Sequence, residues 1–138
     1  MNIKEIITNS CVRVYNNLGY GLSEIAYEKA LSEELRDYGL HTQTELHINQ
    51  YYTTTKGRKV EVANLRIDIL INDNVILELK TLESKIKKYN KNNEFKLEVF
   101  KETKEFLQCK RYMELTGYTE CYLINFSKKG LEIVEIEK

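Results

Sequence analysis

The chain has 138 residues, of which 42% are hydrophobic and 30% are charged, and this composition is typical of one globular domain over residues 1–138. Its 21 basic and 21 acidic residues cancel, which excludes a uniformly basic nucleic-acid-binding protein but not a locally basic surface. The three cysteines lack paired spacing, so we expect neither a disulfide framework nor a zinc site. With no signal-peptide pattern and no long apolar run, a soluble intracellular protein without a membrane span is expected.

Two helices are predicted at the start of the chain. Apolar residues spaced three and four apart predict an amphipathic helix over residues 2–17, which the glycine-containing stretch 19–21 ends. Ser23 can cap a second helix that runs to about residue 38. Glu24 falls in its first turn, where the helix dipole favours an acid, and Tyr27 falls on its apolar face.

Three strands are predicted next. Residues 43–55 mix β-branched and aromatic residues with polar ones, and residues 59–71 return after a turn. Asn72-Asp73-Asn74 reads as a tight hairpin turn, because Asn and Asp tolerate left-handed backbone angles. Residues 74–80 then form the third strand of the predicted sheet.

Three charged residues interrupt the apolar strands on either side of this turn. With a turn centred near Asp73, Asp68 lies opposite Glu78, and Lys80 shares a face with Glu78 because side chains alternate along a strand. Two carboxylates so close repel each other unless a cation lies between them. Hard divalent ions take such oxygens, so the pattern indicates a metal site, although a buried salt bridge to Lys80 is an alternative.

The second half of the chain begins with a polar stretch over residues 83–93, which is either a solvated loop or frayed helix start, or a segment that contacts phosphates. Residues 94–115 are predicted to form one long helix, and residues 120–126 and 131–136 a final hairpin. The candidate nucleic-acid contacts are all cationic. They are Lys85, Lys87, Lys88, Lys91, Lys110 and Arg111.

Three motifs in this order resemble the PD-(D/E)xK nuclease superfamily. The first is Asp68 followed by Glu78-Leu79-Lys80, and the second is Gly21-Leu22-Ser23-Glu24-Ile25-Ala26-Tyr27, which matches the GxxExxY pattern of one branch of that superfamily. The third is Gln108-Cys109-Lys110-Arg111-Tyr112. Two departures from the pattern are Glu105, where this branch usually has histidine, and a longer segment over residues 81–104.

The resemblance implies an α/β fold with a restriction-endonuclease-like core, a mixed sheet flanked by helices in the order ααβββαββ. It implies a nuclease that uses Mg²⁺ or Mn²⁺, most readily on DNA. The residues that it implies for the metal are Asp68, Glu78, the Leu79 carbonyl and Glu24.

The resemblance also implies roles for the residues around that metal. Lys80 would activate or position the attacking water, and Gln108 would orient water or a phosphate. Tyr27 would bond a site carboxylate through its hydroxyl, and Tyr112 would support the site. The alternatives are a catalytically silent module that binds DNA or a protein partner, and a subunit that works as a homodimer or with another protein.

Overall fold

Two helices open the chain, and the computed structural model describes every residue from Met1 to Lys138. Helix α1 (Ile3–Leu18) begins after Asn2, whose side chain accepts the Glu5 amide. Helix α2 (Glu24–Asp37) begins after Ser23, whose side chain accepts the Ala26 amide. Both ends use the short oxygen-bearing side chains that satisfy free amides at a helix start, so the predicted cap at Ser23 is confirmed.

One mixed five-stranded sheet forms the centre of the molecule, with its strands in the order β1-β2-β3-β4-β5. The strands are β1 (Thr42–Thr53), β2 (Lys59–Ile71), β3 (Val75–Lys80), β4 (Glu120–Ser127) and β5 (Gly130–Ile136). Only the pairing of β3 with β4 is parallel. The connection between these two strands therefore crosses one face of the sheet, and it carries the remaining helices.

The turn between β2 and β3 has the conformation that its sequence predicts. Asn72 and Asp73 have φ of 49° and 57°, the left-handed values that asparagine and aspartate tolerate. The strands pair Ile69 with Leu77 and Ile71 with Val75. This register, continued by one residue, sets position 68 opposite position 78, so the predicted register is confirmed.

The single long helix predicted over residues 94–115 is wrong. Two helices occur instead, α3 (Leu97–Lys101) and α4 (Lys104–Thr116). The Thr103 hydroxyl accepts the Phe106 amide and starts a new helix, while the Thr103 amide donates to the Phe100 carbonyl in a tight turn. Local bonds from a threonine side chain compete with a continuous helix, and here they redirect the chain.

Apolar side chains cover the sheet on both faces. One core cluster joins α1 and α2 to residues such as Ile69, Leu77 and Phe126. The other joins α3 and α4 to residues such as Leu70 and Leu123. Helices therefore flank the mixed sheet on both sides, which confirms the predicted α/β class with a restriction-endonuclease-like arrangement.

The polar stretch over residues 83–93 forms neither a helix nor a strand, but it is anchored to the sheet. The side chain of Ile86 is buried, and the amides of Ile86 and Lys87 each donate to the Glu132 carboxylate of β5 at 2.8 Å. Glu132 also accepts from the Asn125 side chain of β4. The Ser84 and Glu83 carbonyls accept from the side chains of Asn125 and Ser127 of β4. The predicted frayed helix start is absent, and a loop anchored to β4 and β5 takes its place.

Strands β1 and β2 run well beyond the rest of the sheet. Strand β3 pairs only with the end of β2, over Ile69–Ile71, whereas β1 and β2 stay paired as far as Thr53 and Lys59. Residues 50–63 thus form a two-stranded projection, here called the β-arm, with an extra residue, Val62, in β2. No helix of the chain combines the length and apolarity that crossing a membrane requires.

Candidate active site

Two buried carboxylates meet where β2 and β3 lie side by side. Asp68 and Glu78 are each only 3% exposed. The Leu79 amide donates to Asp68 Oδ2 at 2.7 Å, which ties the carboxylate of one strand to the backbone of the next. The hairpin register thus places both acids within one small patch on adjoining strands, as the sequence predicted.

Glu78 is the least satisfied polar side chain of this patch. Its Oε2 atom is buried and has no hydrogen-bond partner. Burial, together with the neighbouring Asp68 carboxylate, raises the pKa of Glu78 to about 10. A buried acid without a donor is costly, so its lone oxygen indicates a place where a cation or a proton belongs.

Lys80 follows Glu78 on the same face of β3 and is held by α4. Its Nζ donates to Gln108 Oε1 at 3.1 Å. The structure therefore joins two residues that lie 28 positions apart in sequence, both of which the resemblance implicates. The Lys80 ammonium is held by the Gln108 amide and makes no direct ion pair with the acids.

Arg66 is a site residue that the sequence analysis missed. Its Nη1 donates to Asp68 Oδ1, and its Nη2 contacts Glu28 Oε2 of α2 at 2.7 Å and Glu45 Oε1 at 3.4 Å. Its partners Glu28 and Glu45 lie on other elements, so only its closeness in sequence to Asp68 could have pointed to Arg66. Its guanidinium neutralises Asp68 from the side and links β2 to α2.

The strand that carries Asp68 is locally irregular. Glu45, which lies across from Asp68 in the ladder, has φ of 55°, unusual for a residue with a side chain. Simple alternation would put Ile67 and Ile69 on one face, yet they pack in the two different core clusters. The strand thus changes the direction of its side chains at the candidate metal ligand, as strands often do beside functional sites.

Glu24 begins α2 close to the same patch. Burial raises the pKa of Glu24, while the positive charge of Lys80 lowers it and the negative charge of Asp68 raises it. No group of three or more His, Cys, Asp or Glu side chains is already arranged around a metal position. Asp68 and Glu78 are therefore the assembled pair, and Glu24 lies at its margin.

The predicted role of the Tyr27 hydroxyl is wrong. This hydroxyl donates to the Gly19 carbonyl and accepts the Leu22 amide, so it braces the loop between α1 and α2 instead of a carboxylate. The Tyr27 ring is fully buried and stacks on Phe126 at 4.2 Å between ring centroids. The loop between α1 and α2 leaves the Gly19 carbonyl and the Leu22 amide without helix partners, and the Tyr27 hydroxyl bonds to both of them.

Tyr112 supports the candidate site from α4. Its hydroxyl donates to the Arg66 carbonyl at 2.7 Å. Burial, followed by the charge of Glu78, raises the pKa of Tyr112. Glu105, the residue that departs from the resembling pattern, is buried in the first turn of the same helix.

The residues of the patch fit a hard divalent ion. The donors are carboxylate oxygens, the kind that Mg²⁺ and Mn²⁺ prefer, and Glu78 Oε2 is a buried oxygen without a partner. Each Asp68 oxygen accepts one bond and retains a second lone pair. A cation placed between these carboxylates would remove their repulsion and satisfy the orphaned oxygen.

The predicted nucleic-acid contacts do not all face this patch. Arg111 lines a cavity of about 250 Å³ beside Gln108, together with Lys104. Lys110 points to the other side of α4, where its Nζ donates to the Glu137 carbonyl. Lys87 lies over the Phe95 ring at 4.2 Å.

The remaining three predicted contacts lie on the loop before α3. Lys88 and Lys91 are exposed, and Lys85 lies against Gly130. The largest cavity, about 610 Å³, is bordered by Lys87, Lys110 and β5 and lies away from the carboxylates. Neither this cavity nor the one at Gln108 is lined by Asp68, Glu78 or Lys80, so the candidate site is defined by its side chains and not by an enclosed volume.

Comparison with known proteins gives one informative match. No curated protein matches the chain significantly. A solved structure titled "Crystal structure of SSO0001" shares 16% sequence identity at a TM-score of 0.49, and the match covers 96% of this chain and 65% of that one. A sequence model of the PD-(D/E)XK nuclease superfamily matches residues 1–136. That match takes in the carboxylates, the lysine and the glutamine of the candidate site, and the chain belongs to the PD-(D/E)XK nuclease superfamily.

Proposed function

We propose that this protein is a nuclease of the GxxExxY branch that hydrolyses phosphodiester bonds with Mg²⁺ or Mn²⁺, and that DNA is its substrate. The observation that carries the proposal is Glu78 Oε2, a buried acid oxygen without a partner beside a second carboxylate. Membership of the superfamily suggests nuclease activity, and its members generally use divalent metal ions. In this chain the carboxylates that would bind such an ion are those of Asp68 and Glu78.

Asp68 and Glu78 are proposed to hold the ion, together with the Leu79 carbonyl. Asp68 is oriented by the Arg66 guanidinium and the Leu79 amide, which hold its carboxylate in one direction. Glu24 is proposed to complete the set from the start of α2. When bound, the divalent ion neutralises charge that develops on the phosphodiester.

Lys80 and Gln108 are proposed to act on the attacking water. The Lys80 ammonium, held at Gln108 Oε1, can donate to an oxygen of the scissile phosphate or fix a water beside it. Gln108 also has an amide group that can donate to the same water or phosphate. Both side chains belong to packed elements, so they need little reorganisation.

The test is cleavage of a labelled DNA duplex by the purified full chain in Mg²⁺, in Mn²⁺ and in EDTA. We expect cleavage with either metal and none in EDTA. Asp68→Ala and Lys80→Ala should each lower the rate by about 100-fold or more, the order of loss seen when a charge-stabilising group is removed. Lys29→Ala, a matched change at an exposed lysine of α2, should cleave as the unchanged protein does.

A metal-independent activity, or one that survives Asp68→Ala, would refute this proposal. Supercoiled and single-stranded substrates belong in the same experiment. They establish strandedness separately from the metal requirement.

A catalytically silent binding module is the second candidate, and the ion pair between Asp68 and Arg66 favours it. This pair already compensates one carboxylate of the patch. A silent module would bind DNA without cutting it, and Mn²⁺ would leave its melting temperature unchanged. A rise in melting temperature with Mn²⁺ that Glu78→Gln removes, together with cleavage, would favour the nuclease.

A further inference from the structure

We propose that the β-arm, residues 50–63, is a contact surface for double-stranded nucleic acid beside the candidate active site. The inference rests on the proposed function, which it deepens by naming where the substrate lies. Neither the motifs nor the superfamily match points to this segment. It follows from the exposure, the charge and the direction of two paired strands.

The β-arm exposes apolar side chains that nothing in the fold covers. Tyr51 is 50% exposed, Tyr52 59%, Val60 41% and Val62 57%. A two-stranded ribbon has no hydrophobic layer of its own and is marginally stable in water. Side chains of this size, left open at its end, are characteristic of a surface that another molecule contacts.

The tip of the β-arm is basic although the chain as a whole is neutral. Lys56, Arg58 and Lys59 stand within four positions at the turn, and Glu61 is the acid of the arm. The Lys59 ammonium lies 5.0 Å from the centre of the Tyr51 ring, which joins a cation to an aromatic face. Clustered cations with aromatic neighbours complement phosphates and sugars.

The same charges disfavour a second copy of this chain as the occupant. Two arms packed side by side with their tips at the same end would bring the basic tips close together, and like charges in contact cost free energy. A nucleic acid removes that cost, because its phosphates pair with the cations and release counterions. A duplex in particular suits a two-stranded ribbon, which fits the width of the major groove.

Strand β2 links the β-arm directly to the site. Lys59 and Asp68 belong to this one strand, nine positions apart. At about 3.3 Å per residue the tip lies up to roughly 30 Å from the candidate metal ligand. A duplex rises about 3.4 Å per base pair, so the tip reaches up to about nine base pairs from the scissile phosphate.

The test compares two triple variants with the same change in net charge. Lys56→Gln, Arg58→Gln and Lys59→Gln together remove the tip cations, and Lys4→Gln, Arg13→Gln and Lys29→Gln remove three exposed cations from α1 and α2. Binding to a labelled duplex of about 30 base pairs is followed by fluorescence anisotropy in EDTA over a range of salt. We expect the arm variant to lose at least about tenfold in affinity and its salt slope to fall by up to about 3. The α1/α2 variant should bind as the unchanged protein does.

Duplex length provides a second readout. A hairpin duplex of about six base pairs, roughly 20 Å long, is too short to span the distance of up to roughly 30 Å between the site and the tip, so the arm variant should lose less affinity for it than for the duplex of about 30 base pairs. Equal losses in both triple variants, or no loss in the arm variant on the long duplex, would overturn the proposal. So would a protein that sediments as a dimer and becomes a monomer on Tyr52→Ser, since the arm would then belong to a second copy.

Failure of the nuclease proposal is measured separately. Metal-dependent hydrolysis of a small chromogenic phosphodiester needs no β-arm, and the arm variant should retain it at the rate of the unchanged chain. Loss of this hydrolysis only in Asp68→Ala keeps the two questions apart. Thermal melting of every variant shows that the compared chains are folded.

Discussion

Glu78 makes the stability of the fold depend on pH. Its pKa is raised to about 10, so the folded chain holds this proton more tightly than the unfolded chain does. The stability that the proton contributes is complete below the usual glutamate pKa and is lost as pH rises towards about 10. In EDTA, we therefore expect the melting temperature to fall between about pH 6 and about pH 9, and to fall less in Glu78→Gln.

A bound metal ion should weaken this dependence of the melting temperature on pH. Mn²⁺ takes the place of the proton at the carboxylate, so the drop in melting temperature should shrink when Mn²⁺ is present and should persist in EDTA. Differential scanning calorimetry at matched pH provides the measurement. An identical pH profile for the unchanged chain and Glu78→Gln would contradict the assignment of the buried proton to this residue.

Arg66 contacts three acids, Asp68, Glu28 and Glu45, and its removal leaves the two buried ones, Asp68 and Glu28, without their cation. Breaking one side of a buried pair costs about 3–5 kcal/mol, and since the Arg66 side chain is 29% exposed we expect about 2 kcal/mol for Arg66→Met. Adding Glu28→Gln removes one of the orphaned charges and should recover part of that loss. Urea unfolding of the single and double variants gives the coupling, and strictly additive losses would mean that no such pair exists.

At the scale of single residues, predictability depended on local geometry. Asp68 and Glu78 could be paired from the sequence because strand alternation, together with the position of the turn between β2 and β3, determines which side chains lie opposite each other. Arg66 could not be ranked, because its partner Glu28 lies 38 positions away on a helix. The Tyr27 hydroxyl was misassigned because the backbone groups that it meets arise from the path of a loop.

The start of α4 is a point where one side chain supports both stability and the site. Thr103→Ala removes the hydroxyl that accepts the Phe106 amide and should cost about 1 kcal/mol. Because α4 carries Gln108, cleavage should fall further than stability alone explains. Asn2→Ala removes an equivalent cap from α1 and should cost a similar free energy without a loss of cleavage.

Circular dichroism melts and steady-state cleavage rates measure both variants. Equal cleavage by Thr103→Ala and Asn2→Ala, after correction for the folded fraction, would separate α4 from the chemistry. A larger effect of Thr103→Ala on kcat than on KM is expected if Gln108 acts after binding.

Elements were predictable where turn chemistry and hydrophobic period agree. The turn at Asn72 and Asp73 is an example, since both residues adopt the left-handed angles that their side chains tolerate. The break between α3 and α4 was not found, because apolar residues on either side of Thr103 kept an almost helical spacing. A single threonine decided the outcome by capping a new helix.

At the scale of the whole molecule, net charge hides local basic surfaces. The loop before α3 carries lysines at four of the predicted contact positions, namely Lys85, Lys87, Lys88 and Lys91. If this loop contacts phosphates, replacing all four with glutamine should weaken duplex binding and lower the salt slope by up to about 3.6. Anisotropy titrations with the α1/α2 triple variant as control measure this. An unchanged slope would make the loop an ordinary solvated surface.

Apart from the break at Thr103, the order of elements and the mixed α/β class were predictable from patterning, since apolar runs marked the strands and three- and four-residue spacings marked most helices. The reach of β1 and β2 beyond the sheet was not. Sequence patterns show that Val60 and Val62 favour a strand, but they do not show that nothing packs over them. Burial depends on which elements become neighbours, and that is settled only when the whole chain is folded.

The bond between Glu132 and the loop before α3 has a consequence for how this protein diversifies. Glu132 of β5 holds the loop through the backbone amides of Ile86 and Lys87. This contact therefore does not depend on the identity of the side chains that follow. The exposed positions of this loop, such as Lys88 and Lys91, can therefore change in identity while β2 and β3, which carry the candidate metal ligands, stay in place. Relatives with different targets should differ most in this stretch and keep an acid at the equivalent of Glu132.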